Sequence, residues 1–298
     1  MNLYAPKYYS RFRCIADKCK HSCCIGWEID VDETSLNKYI TDSASYAYTV
    51  LKSIDLSDVP HFHLAENERC PHLDDNGLCC IIKNMGEEYL CDICREHPRF
   101  YNYSNRGKEV GIGMACEEAC RLILASDDYD QFHVLDQLDE ELEISEFDAC
   151  TESLRIYKIL REESLSFLDK IEIIGEFYDI DTEFKDVSSL LNSLEYLYSE
   201  DKRMICSVSD IDVISLCDDI RLSRVLAYYI YRHCFAKTTY EEFCNSLSYS
   251  IFCSKLVARL SEENDMVEIS RIVSEEIEYS EDNTELILSY FDNSNADM

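Results

Sequence analysis

All four prolines and six of the seven glycines lie in the first 120 of the chain's 298 residues. Everything after that point has one glycine and no proline, so it has few places to turn tightly and must run in long regular segments. Apolar residues there recur at three- and four-residue steps in VLDQLDEELEISEF, ESLRIYKILREESLSFLDKIEIIGEFYDI and SSLLNSLEYLYSE. That period is helical. IDVISLCDDIRLSRVLAYYIYRHCF is more apolar and aromatic, which predicts a helix near the middle of a bundle. YEEFCNSLSYSIFCSKLVARLSEEN and MVEISRIVSEEIEYSEDNTELILSYFD continue the pattern. Antiparallel packing of such helices buries their stripes.

Charge divides as unevenly as glycine. Residues 1–120 carry 13 basic and 19 acidic side chains, while residues 121–298 carry 15 and 41. The whole chain has a formal charge of -32. Wrapping a phosphate backbone needs positive potential, so nucleic acid and anionic membrane surfaces are poor partners, and a Lys- or Arg-bearing protein is the favoured one. A hydrophobic content of 46% excludes a disordered acidic tail. The start, MNLYAPKYYSRFRCIADKC, lacks an uninterrupted apolar core, and no run of about 18 apolar residues occurs. The chain is therefore expected to be soluble and cytoplasmic.

Eleven of seventeen cysteines fall at 14, 19, 23, 24, 70, 79, 80, 91, 94, 116 and 120. In a reducing compartment clustered cysteine points to a metal more readily than to disulfides. Cys19-Lys-His-Ser-Cys23-Cys24, Cys70-Pro, Cys79-Cys80, Cys91-Asp-Ile-Cys94 and Cys116 supply thiolates from separated segments, as four-coordination requires. Four sulfurs suit tetrahedral zinc or an iron–sulfur cluster, and the spacing does not choose between them. Only Cys91–Cys94 has the CxxC form, so no zinc-ribbon pair is present. Reduced structural cysteine and redox disulfide chemistry are the alternatives. Cys14 and Cys120 are equally readable as small buried residues.

Locally, residues 32–54 predict one helix or two, with Asp32 as N-cap and Ser35 three residues on. KEVGIGMACEEACRLILAS predicts a strand and then a helix. ASDD at 125–128 is the expected boundary between a cysteine-rich metal lobe, 1–124, and an acidic helical domain, 125–298. The expected fold is mainly α, with the irregular N-terminal metal lobe packed against the acidic helical lobe.

YYSRFRCIADKCKHSCCIGWEIDVDETSLNKY, CPHLDDNGLCCIIKNMGEEYLCDICREHPRF and ACEEACRLIL closely resemble the flagellin lysine-N-methylase family, within the broader cysteine-cluster proteins that chelate zinc or iron. The resemblance is specific over residues 8–124, and RVLAYYIYRHCF at 224–235 looks like the family's C-terminal aromatic helix. It implies methyl transfer from S-adenosylmethionine to lysine side chains of flagellin or a related Lys-bearing protein. It also implies a bound iron–sulfur cluster, [4Fe–4S]. Carried over by position, the recurrent cysteines are Cys14, Cys19, Cys23, Cys24, Cys70, Cys79, Cys91, Cys94 and Cys116. The pool of expected ligands is Cys19, Cys23, Cys24, Cys70, Cys79, Cys91, Cys94 and Cys116, which exceeds the four that one cluster takes. Departures from the family pattern are Cys80 at a polar position, His97 for a tyrosine, Glu117 for a proline and Cys120 for an alanine.

No glycine-rich nucleotide loop accompanies these motifs, since Gly111-Ile-Gly113 is only GxG and reads as a turn or a close-packed strand. Nor does the CxxxCxxC loop of radical enzymes using the same donor occur. Arg99 either contacts the donor's carboxylate or fastens its loop. Tyr228, Tyr229 and Tyr231 either line a channel between lobes or pack in a core. Trp27 either covers a site or anchors the core, and His21 either ligates or stays at the surface. The catalytic residues are left unassigned. The rival function is a non-catalytic metal-binding interaction protein or a redox sensor.

Overall fold

The computed structural model describes residues 1–184, 186–212 and 214–296. The chain forms two compact units, one of residues 13–99 and the other of residues 1–12 with 100–298. Residues 100–124, grouped above with the cysteine-rich segment, thus fold with the larger unit. Strand β1 (Asn2–Pro6) belongs to that larger unit.

The smaller unit opens irregularly and then forms α1 (Glu33–Thr41) and α2 (Ser45–Lys52). Asp32 starts α1 by accepting a hydrogen bond from the Ser35 backbone N–H at 2.9 Å, which satisfies one orphan donor of the first turn. The chain continues through the short antiparallel pair β2 (Ile54–Asp55) and β3 (His61–Phe62). Helix α3 (Cys80–Met85) follows Cys79, and α4 (Asp92–Glu96) follows Cys91. Gly86 ends α3 with φ of +108°, a backbone conformation that strains any residue carrying a Cβ. Ile29, Val31, Tyr39, Val50, Ile54, Phe62 and Ile81 are buried together in one core. Burying each large side chain contributes roughly 1.5–3 kcal/mol.

The larger unit has a sheet as well as helices. Strands β4 (Arg99–Ser104), β5 (Gly107–Ile112) and β6 (Phe132–Gln137) join β1 in the order β4-β5-β1-β6. β1 runs parallel to β5 and antiparallel to β6. At Gly107 the β5 backbone comes so close to β1 that a Cβ would overlap the Asn2 carbonyl. Helix α5 (Glu117–Ala125) lies between β5 and β6 in the chain.

After the sheet come α6 (Ala149–Leu160), α7 (Phe167–Tyr178), α8 (Val187–Ser193) and α9 (Ser199–Ile205). They are followed by α10 (Ile220–His233), α11 (Tyr240–Leu260), α12 (Met266–Val273) and α13 (Glu281–Ala296). Ser166–Asp169 and Thr239–Glu242 form reciprocal capping boxes that start α7 and α11. α11 is buried along nearly its whole length and packs on α10, α12 and α13. A π-helical turn, Ser274–Glu278, follows α12. Among the described residues no helix is long and apolar enough to cross a membrane.

The expectation of a mainly α fold with a metal lobe is therefore corrected. The helices are as expected, but a four-stranded mixed sheet stands in the same unit. Its central strand is the chain's first segment, which pairs with β5 and β6 more than a hundred residues away. Such pairing leaves no local signature in the sequence.

Candidate functional site

The smaller unit gathers five of the expected cysteines. Cys24, Cys70, Cys79, Cys91 and Cys94 all take part in its one apolar core. The Cys70 backbone N–H donates to the Cys24 carbonyl at 2.8 Å, and a β-bridge joins Leu73 to Cys79. Tyr39 Oη lies 3.5 Å from Cys91 Sγ. Burial pushes the Cys70 thiol up to about 12 and Cys91 to about 11, and it raises Cys79 and Cys94 as well. Cys24 differs: the Cys23 thiol's hydrogen bond outweighs burial and, with Ser22 and Arg69, lowers it to about 7. His72, beside this core, is held neutral by burial at about 4 and bonds Tyr46 and Ser53.

Among the described residues no group of three or more His, Cys, Asp or Glu side chains is arranged to hold a metal ion. The expected [4Fe–4S] cluster, the zinc alternative and membership of the metal-chelating cysteine-cluster group are corrected on that ground. The physical reason lies in the thiols themselves. Cys70, Cys79, Cys91 and Cys94 pack in a core with Ile, Val and Phe side chains, where a cysteine serves as a small apolar residue.

Of the other members of the pool, Cys23 reaches this core through its thiol's hydrogen bond to Cys24. Cys19 Sγ donates to the His21 carbonyl at 3.2 Å, and the exposed Cys23 offers its carbonyl to Trp27 Nε1 at 2.6 Å. Cys116 belongs to the larger unit, where it precedes α5. Arg99 Nη1 donates to the Arg95 carbonyl at 3.0 Å. Cys120 is buried and bonds the Val267 carbonyl. None of the seventeen cysteines forms a disulfide in this structure.

The larger unit holds a buried charged centre at the end of α10. Glu278, in the π-helical turn, accepts from Tyr228 Oη at 2.7 Å, His233 Nε2 at 2.7 Å and Ser274 Oγ at 2.5 Å. Arg232 Nε stands 3.3 Å from the same carboxylate, and its guanidinium lies over the Phe100 and Tyr279 rings. Burial would raise Glu278, but Arg232, His233 and Ser274 outweigh it and keep the carboxyl low. Tyr228, Tyr229 and Tyr231 are fully buried, which makes them core residues and not a channel lining. Tyr231 Oη donates to the Val110 carbonyl, beside an Arg106–Glu109 ion pair. A cavity of about 350 Å³ opens beside Phe100, Asn102, Arg232 and Lys237.

A larger cavity, about 420 Å³, lies where the starts of α7 and α10 meet the end of α6. Lys170 and Arg224 line it, 3% and 8% exposed, with Tyr129 at 6%. Lys170 Nζ donates to the Leu160 carbonyl at 3.0 Å and to Ser223 Oγ at 3.1 Å. Burial lowers its pKa. Arg224 Nη1 donates to the Leu124 carbonyl, and Nη2 pairs with the solvent-exposed Asp127. Arg224 Nε and Tyr129 Oη are buried with no hydrogen-bond partner among the described residues. Sequence reasoning missed these side chains. The available signal was charge inside an apolar helical stripe, as in FLDKIEII and LSRVLAYY.

No family model matches the chain, and no solved structure matches it. Three curated proteins do. Lysine-N-methylases of Salmonella typhimurium strain LT2 and Salmonella choleraesuis strain SC-B67 are each 28% identical over 130 residues, covering 41% of this chain and 32% of theirs. The flagellar biosynthetic protein FliU of Salmonella muenchen is 28% identical over 130 residues, 77% of its own length. The chain spans about a third of the two lysine-N-methylases. The resemblance read from the sequence therefore narrows to a distant and partial likeness to lysine-N-methylases and a flagellar protein.

Proposed function

We propose that the chain transfers a methyl group from S-adenosylmethionine to lysine side chains of flagellin or a related Lys-bearing protein. The observation that carries this is the likeness to two lysine-N-methylases and to a flagellar biosynthetic protein. The formal charge of -32 supports it, because an acidic surface steers a Lys-bearing partner toward the chain. In the reaction the neutral lysine amine attacks the methyl carbon, the carbon–sulfur bond breaks, and S-adenosylhomocysteine leaves. The product ammonium gives a proton to water or a carboxylate. The protein's part is to align the amine and the methyl group and to exclude water from them.

The test incubates the purified full chain with flagellin and S-adenosylmethionine carrying a trideuterated methyl group. Intact-mass and peptide mass spectrometry should find labelled methyl on lysine, with S-adenosylhomocysteine formed in equal amount. Unmodified flagellin after saturation with donor overturns the reading.

A further inference from the structure

We propose that the cavity between the starts of α7 and α10 binds the amino-carboxylate end of a zwitterionic ligand, which in the methylation reading is the methionine moiety of S-adenosylmethionine. The inference rests on that reading for the identity of the ligand, but its chemistry comes from the cavity wall.

Lys170, Arg224 and Tyr129 stand on the inner wall, with the Asp219 carboxylate, which pairs with Arg221, also lining the cavity. Lys170 and Arg224 are buried cations, and among the described residues the side-chain carboxylate bonded to either is Asp127, whose own side chain is 95% exposed. Burying a charge is costly unless a counter-charge or hydrogen bonds compensate it. Among the described residues Lys170 bonds two neutral oxygens, and neither Arg224 Nε nor Tyr129 Oη has a hydrogen-bond partner. Buried polar atoms are almost always satisfied, so two orphans beside a lysine in one wall call for an acceptor from outside the chain. A carboxylate meets that need, having two oxygens to share among three donors.

The mouth is acidic on balance, because the exposed Arg161 that also lines it is paired with Asp130. Glu163 and Asp218 line the same cavity and are exposed. A ligand with an ammonium next to its carboxylate matches both zones at once. A bare anion would be repelled at the mouth, and a bare cation would be repelled by Lys170 and Arg224. An α-amino acid group carries both charges on adjacent atoms. A volume of about 420 Å³ falls within the range of small-molecule sites.

The test measures binding by calorimetry on the full chain with three probes. They are S-adenosylhomocysteine, free L-methionine, and 5′-methylthioadenosine, which lacks the amino-carboxylate. S-adenosylhomocysteine should bind saturably, and methylthioadenosine at least about 10-fold more weakly. Tyr129→Phe removes only an unpartnered hydroxyl, so its thermal midpoint should match the wild type while affinity for S-adenosylhomocysteine falls about 10-fold. Lys170→Met should lower it further. Equal binding of the two nucleosides, or wild-type affinity in both variants, overturns the cavity assignment and leaves methylation standing. Binding of L-methionine that depends on Tyr129 and Lys170, with no binding of S-adenosylhomocysteine, upholds the cavity and overturns the methylation reading. Binding of none of the three probes overturns the cavity assignment.

Discussion

His233 Nε2 donates to Glu278 Oε1 at 2.7 Å, and the Glu278 side chain has no exposure to solvent. The same carboxylate faces Arg232 Nε at 3.3 Å. A single buried anion thus compensates the end of α10, where two basic residues follow three buried tyrosines. Glu278→Gln keeps the shape but removes the charge, leaving the Arg232 guanidinium without its ion partner. Breaking a buried pair this way typically costs about 3–5 kcal/mol. Urea unfolding of the variant should show a midpoint shift of that size. An unchanged midpoint would mean that the network contributes nothing net to the fold.

Asp32 ties two helix starts in the smaller unit. Its Oδ1 accepts from the Ser35 N–H and its Oδ2 from the Asp92 N–H at 2.8 Å. Burial acts to raise this carboxyl, but the Asp92 and Ser35 backbone bonds outweigh it and hold it below the usual range. Asp32→Ala should destabilise the chain by about 1–2 kcal/mol, and Asp32→Asn by less, because asparagine still caps a helix. Thermal melts of both variants give the comparison. Equal losses in the two would remove the cap as the cause.

The Cys24 thiol, lowered to about 7 first by the Cys23 hydrogen bond, is expected to be the most reactive of the five core cysteines. Only the thiolate is a nucleophile, and Cys70 and Cys91, at about 12 and about 11, hold almost none at neutral pH. Iodoacetamide labelling read by peptide mass spectrometry should give a Cys24 rate that rises through about pH 7. Arg69→Gln should move that inflection upward, since the Arg69 charge favours the thiolate. Faster labelling of Cys70 or Cys91 than of Cys24 would contradict the assignment.

These positions show what local sequence could and could not convey. Asp32 followed by Ser35 was readable as a cap because capping is a contact over three residues. The strand and helix of KEVGIGMACEEACRLILAS were readable for the same reason. β1 was not, since Asn2–Pro6 become a strand only through partners around residues 107 and 137. The cysteine spacing was visible, but spacing does not say whether sulfurs meet at one point. Cys116 belongs to a different unit from Cys24 and Cys94. Lys170 and Arg224 stand inside apolar helical stripes, a cue that they are buried but not that they meet, and the packed structure places both around one cavity.

Glu276 gives the fold a pH dependence that can be read with one substitution. It lies in the π-helical turn and accepts from the Leu197 and Tyr198 N–H groups at 2.7 and 3.0 Å. Burial raises its carboxyl to about 7, although those two bonds pull the other way. An acid whose folded pKa lies above its unfolded value of 4.5 binds a proton more readily when folded. Below about pH 4.5 both states are protonated and the group has no differential effect. Between about 4.5 and 7 the folded state keeps its proton while the unfolded state releases it, so stability falls as pH rises, and above 7 the loss is complete. A shift of this size corresponds to about 3 kcal/mol in full, most of it falling between pH 5 and pH 8. Glu276→Gln retains an acceptor for Leu197 or Tyr198 and cannot ionise. Relative to the wild type, the variant should therefore gain about 2–3 kcal/mol of stability between pH 5 and pH 8 in denaturant titrations. A stability difference that stays constant across that window would show that Glu276 is ionised in the folded chain throughout, with its two backbone donors outweighing burial.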